Sequence, residues 1–122
     1  MEGMKWKLVI SAAALALTLL SVGGTRRVSA QEPRVIDITA KRYEFAPNTV
    51  TLKKGETVKL RLHSEDVTHG FFSRQLKLDE TVEPGKTAEV TLTPQTAGTF
   101  KTICDHFCGA GHGNMAMTFV VE

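Results

Sequence analysis

The chain has 122 residues, a formal net charge of +2 and two cysteines. That length allows one domain, and two cysteines are too few for a disulfide scaffold. The charge excludes a nucleic-acid face, which needs a basic patch on the folded domain: residues 1–30 hold Lys5, Lys7, Arg26 and Arg27 against Glu2, leaving 11 basic and 12 acidic residues over 31–122, a formal −1.

Residues 1–30 read as an export segment. Lys5 and Lys7 precede an apolar run from Leu8 to Val22, and Val28-Ser29-Ala30 puts small side chains where a signal peptidase cuts, predicting cleavage after Ala30. The run is shorter than the ~20 residues a membrane-crossing helix needs, although Arg26 and Arg27 on its far flank leave an uncleaved anchor as the alternative. In both cases residues 31–122 are expected to work outside the cytoplasm, with membrane contact only through that segment or a partner.

Residues 31–34 read as a leader into the first strand. Val35–Thr39 sets Ile36 and Ile38 against Val35, Asp37 and Thr39, the period of a half-buried strand. Ala46-Pro47-Asn48 is a turn into a strand at Thr49–Leu52. Lys53-Lys54-Gly55-Glu56 reads as a hairpin turn into Thr57–Leu62, where Val58, Leu60 and Leu62 alternate with Lys59 and Arg61. His63 continues that strand in the opposite phase to Leu60 and Leu62, a surface position. Further strands are expected at Val67–Phe72, at Thr87–Thr93 after the Glu83-Pro84-Gly85 turn, from Gly98 into Cys104, and at Met117–Val121. No stretch of 31–122 carries a 3.6-residue apolar period, so the pattern predicts an all-β Greek-key sandwich.

Chemistry concentrates in Cys104-Asp105-His106-Phe107-Cys108-Gly109-Ala110-Gly111-His112-Gly113-Asn114-Met115, a C-x3-C-x3-H-x2-M series between two expected strands. Thiolates and a thioether beside imidazole favour copper among biological metals, and two thiolates on one loop can bridge two ions. His69, near the end of the Val67–Phe72 strand, is the candidate distant ligand, with Phe71, Phe72 and Phe107 as a hydrophobic shell. Three plainer readings stand beside this one. The cysteines can form a local disulfide in an oxidising compartment; two Cys and two His also suit tetrahedral zinc; and Met115, like Met117, can be core. His106 is either solvated or placed behind the ligands.

The Asp66-Val67-Thr68-His69 segment, followed by C-x3-C-x3-H-x2-M, resembles the binuclear copper (CuA) cupredoxins of cytochrome c oxidase subunit II and nitrous oxide reductase. The likeness spans nearly all of 35–122, including the Phe45-Ala46-Pro47 and Pro84-Gly85-Lys86 turns. It implies that Cys104 and Cys108 bridge two copper ions, that His69 and His112 are terminal ligands, that Met115 is a weak thioether ligand, and that the His106 backbone carbonyl completes the set. It further implies one-electron transfer without catalysis, with electrons passing the edge of His112. The implied partners are a c-type cytochrome or other small redox protein and a terminal oxidase or reductase. A rival expectation is a periplasmic copper chaperone or store, which the same soft donors serve.

Overall fold

A computed structural model describes Gly23 and residues 32–122; the expected export segment and its cleavage site otherwise lie outside the described residues. Among the described residues, nine strands form two sheets. They are β1 (Arg34–Lys41), β2 (Glu44–Ala46), β3 (Thr49–Leu52), β4 (Val58–Ser64), β5 (His69–Ser73), β6 (Leu78–Val82), β7 (Thr87–Leu92), β8 (Gly98–Ile103) and β9 (Ala116–Val121). One sheet runs β2-β1-β4-β7 and the other β3-β9-β8-β5-β6. The all-β Greek-key sandwich expected from the pattern is the architecture found. No helix among the described residues is long and apolar enough to cross a membrane.

Alternation explains the core. Ile38 and Ala40 of β1, Val58, Leu60 and Leu62 of β4, and Leu92 of β7 point inward from one sheet. Leu52, Phe71, Met117, Phe119 and Val121 meet them from the other. Phe71 is the hub, with edge-on contacts to Phe45 at a centroid separation of 5.4 Å and to Phe119 at 6.3 Å. Such pairs add about 0.5–1.5 kcal/mol beyond the area they bury. Met117 is core, as expected.

Three local expectations need correction. Lys53–Glu56 is not a hairpin: β3 pairs in parallel with β9, and β4 in parallel with β1. The segment is a corner that carries the chain between sheets, with Gly55 at φ 81. Its amides bond across the corner, Lys54 N–H to the Glu122 carbonyl at 2.8 Å and Gly55 N–H to the Pro94 carbonyl at 2.7 Å. Next, β5 begins at His69, not Val67, because residues 65–68 form a crossing loop, over which the Ser64 hydroxyl at the end of β4 bonds the Val67 carbonyl. Finally, β2 and β6 carry no clear alternation and were not expected. β6 exists because it pairs along all five residues of β5, from His69↔Val82 to Ser73↔Leu78.

Phe71→Ala should destabilise the metal-free protein by about 3–5 kcal/mol, read by urea unfolding. Phe107→Ala, whose ring is 76% exposed, should stay within about 0.5 kcal/mol of wild type.

Candidate metal centre

β5 and β8 are neighbours, paired at Phe72↔Ile103. His69 opens β5 and Cys104 directly follows β8, so the antiparallel pairing delivers both to one end of the sandwich. Residues 104–115 then link β8 to β9. The base of this loop is pinched by the Cys104 N–H donating to the Met115 carbonyl at 3.0 Å. Inside it, His112 N–H bonds the Gly109 carbonyl at 3.1 Å and Met115 N–H bonds the His112 carbonyl at 3.2 Å. These successive three-residue turns, with a short 3-10 turn at His112–Asn114, fold the x3 and x2 spacings into a cup.

The cup brings every expected donor together. The Cys104 and Cys108 sulfurs are 3.6 Å apart. His69 Nδ1 lies 3.9 Å from the Cys104 sulfur, and His112 Nδ1 lies 3.8 Å from the Cys108 sulfur. Met115 Sδ is 3.7 Å from Cys108 Sγ, and the His106 carbonyl oxygen is 3.1 Å from Cys104 Sγ. The cysteines are free; a disulfide needs sulfurs about 2.05 Å apart. With metal–thiolate bonds near 2.3 Å and metal–imidazole bonds near 2.0 Å, a sulfur and a nitrogen on one ion lie about 3.5–3.8 Å apart at tetrahedral to trigonal angles. The observed separations match within tenths of an ångström, so these residues fit a metal. His69 and Met115 are buried, whereas His112 is half-buried.

A polar layer orients the donors. Asp66 Oδ1 accepts from His69 Nε2 at 2.7 Å, which leaves the Nδ1 lone pair facing Cys104. Partial burial pushes the Asp66 pKa up. Hydrogen bonds from the Arg42 and Val67 amides and from the His69 ring outweigh it, and bring it down to about 2. Burial and the adjoining Cys104 push the Cys108 thiol up to about 11, with the Arg42 guanidinium pulling the other way. Gly70 donates its N–H to Cys104 Sγ at 3.4 Å. A side chain there has no room: a Cβ would collide with the Asp105 carboxylate and stand 2.8 Å from the Asp105 and His106 amides. Gly109, at φ 139, backs onto the Tyr43 hydroxyl.

The expected aromatic shell is not built as read. Phe71 is in the sandwich core, Phe72 is half-buried, and Phe107 projects into solvent with its ring 5.8 Å from that of His112. Position 107 lies on the outward side of the cup, between two cysteines that both turn inward. His63 stays at the surface, beside Asp37 and Thr87. The His106 ring is exposed, and its Nδ1 lies 3.1 Å from the Phe107 carbonyl. Arg42, Tyr43 and Gly70 were not anticipated. Asp66 was visible as an acid three residues before a candidate ligand, but Arg42 offered no local signal.

A family model described as "Cupredoxin-like domain" matches residues 8–118. Cytochrome c oxidase subunit 2 of Thermus thermophilus is 32% identical over 85 residues, which cover 70% of this chain and 63% of that protein. Nitrous-oxide reductase of Cupriavidus necator is 36% identical over 91 residues, covering 71% of this chain and 14% of that protein. The chain thus spans less than two thirds of these relatives. The crystal structure of the periplasmic domain of cytochrome oxidase subunit II from Bradyrhizobium japonicum aligns at a TM-score of 0.69 and 17% identity, over 75% of this chain and 86% of that one. At that identity the likeness establishes the fold.

Two outcomes follow from this geometry. Gly70→Ala should push the 104–106 segment off β5 and cost about 1–3 kcal/mol in the metal-free protein, measured by urea unfolding. Because the Cys108 thiol is raised to about 11, it is protonated near neutrality and must lose that proton to bind metal. Metal affinity should therefore rise with pH through the neutral range, with proton release detectable in weakly buffered titrations.

Proposed function

The chain belongs to the cupredoxin-like domain family, and we propose that it transfers single electrons through a copper centre in which Cys104 and Cys108 are shared between two ions. The observation that carries this reading is the pairing of donors along the two sulfurs. His69 Nδ1 faces Cys104 and His112 Nδ1 faces Cys108, at 3.9 and 3.8 Å. Met115 lies on the Cys108 side and the His106 carbonyl on the Cys104 side. One tetrahedral ion needs only four donors; six donors spread along a 3.6 Å sulfur pair suit two.

Copper bound there supplies a one-electron couple and needs no substrate. The protein's residues hold the geometry. The Met115–Cys104 main-chain bond closes the cup, Asp66 fixes the His69 tautomer, and the 3-10 turn fixes His112. Donors held by a rigid frame change little between oxidation states, which favours fast transfer. His112 is the donor imidazole with access to solvent, so electrons pass by its edge. The family relatives named as oxidase and nitrous-oxide reductase components support a c-type cytochrome or small redox protein on one side and a terminal oxidase or reductase on the other. The Lys5–Ala30 pattern and the periplasmic relative support work outside the cytoplasm.

Copper content and electron paramagnetic resonance of the reconstituted protein test the reading. Two coppers per chain sharing one unpaired electron are expected. One copper, Cu(I) alone with no reversible couple, or a preference for zinc would overturn it in favour of copper handling or a structural site. Cys108→Ser should abolish two-copper binding, whereas His106→Glu should keep both ions, since its carbonyl remains; retention of both ions in the first or loss of one in the second would refute the assigned roles.

A further inference from the structure

We propose that Arg42 is a positioning residue of this centre, which locks the Cys108 arm of the ligand set to the His69 arm and holds the reduction potential up. The proposal rests on the copper reading above. Arg42 follows directly after β1, in the turn to β2. Its main-chain N–H donates to Asp66 Oδ2 at 2.7 Å, and the other oxygen of that carboxylate receives the His69 Nε2 proton at 2.7 Å. Its side-chain Nε donates to the Cys108 carbonyl at 2.9 Å, across 66 residues of sequence. One residue thus joins two ligand-bearing segments without touching a donor atom.

An arginine in a turn is ordinarily a solvated surface charge. Here one of its donors is committed to the main chain of Cys108, which holds the guanidinium against that residue. Together with His106, Phe107 and Thr68 it lines a hollow of about 290 Å³ on the outer side of Cys108. The nearby charges oppose one another. Asp66 is negative but hydrogen-bonded to His69, while the Arg42 side chain is fixed on the Cys108 carbonyl, so its positive charge stays on the Cys108 side of the centre. A cation placed there favours the state of the centre holding the extra electron, and so raises its potential. Arg42 is exposed, so screening keeps the effect moderate.

The test compares wild type, Arg42→Gln and Arg42→Lys, each reconstituted with copper as the full chain. Arg42→Gln should retain two coppers and shift the one-electron equilibrium three- to tenfold toward the oxidised form, about 30–60 mV lower. It should also lose copper to a chelator severalfold faster. Arg42→Lys keeps the cation without the planar Nε donor, so it should restore most of the potential while copper loss stays fast. An unchanged or raised potential in Arg42→Gln overturns the proposal. So does a fall confined to urea stability of the metal-free protein, which marks a purely structural contact. Failure of the wild type itself to hold two coppers strikes the functional reading instead, and so separates the two failures.

Discussion

Everything at the metal end depends on how closely β5 and the chain leaving β8 can approach. The two strands meet in register only at Phe72↔Ile103, and beyond that point Gly70 lies against the Asp105 and His106 amides. That contact replaces a continued ladder. It lets Cys104 turn inward under the Gly70 N–H instead of remaining in the sheet, and it brings the sulfur to His69. A pocket of soft donors is otherwise hard to build inside a sandwich, because each strand sends alternate residues inward. The fold solves this by ending β8 at Ile103 and letting the loop bring the remaining donors over the edge.

The two imidazoles are placed differently. His69 is enclosed, its outer nitrogen committed to a carboxylate that stays ionised to about pH 2. His112 sits on a short turn in the cup and is half-buried. One end of the sulfur pair is thus clamped to the body of the protein and the other reaches the surface. A carrier benefits from that division: the clamped side limits rearrangement, and the surface side shortens the path to a partner. Phe107, exposed beside His112, extends that surface with an apolar ring instead of shielding the site.

Much of this was legible because it is local. Period-2 alternation in Val58–Leu62 marked β4 and its inward face without further information, and the Cys104 to Met115 spacing marked the cup. What escaped is non-local. The Lys53–Glu56 segment has a hairpin's composition, but parallel pairing of β3 with β9 and β4 with β1 decides its role. β6 has no pattern of its own and forms against β5. The outward direction of Phe107 follows from the loop's turns, which its neighbours in sequence do not encode. Phe107 reads as part of an enclosed stretch between two cysteines, whereas all three residues from Asp105 to Phe107 are exposed.

Arg42 is the extreme of this non-locality. Its partners lie 24 and 66 residues away, and its own neighbours, Lys41 and Tyr43, look like any exposed turn. Yet the turn sits where β1 ends beside the crossing loop that holds Asp66, and Tyr43 backs the Gly109 end of the cup. The sheet that bears none of the candidate donors therefore reaches across and grips the donor-bearing loop of the other sheet. A metal loop supported only by its own strands could close and open with the metal. Tied to the opposite sheet through Arg42 and Tyr43, it is held in shape by the sandwich as a whole, and the geometry of the donors becomes a property of the fold.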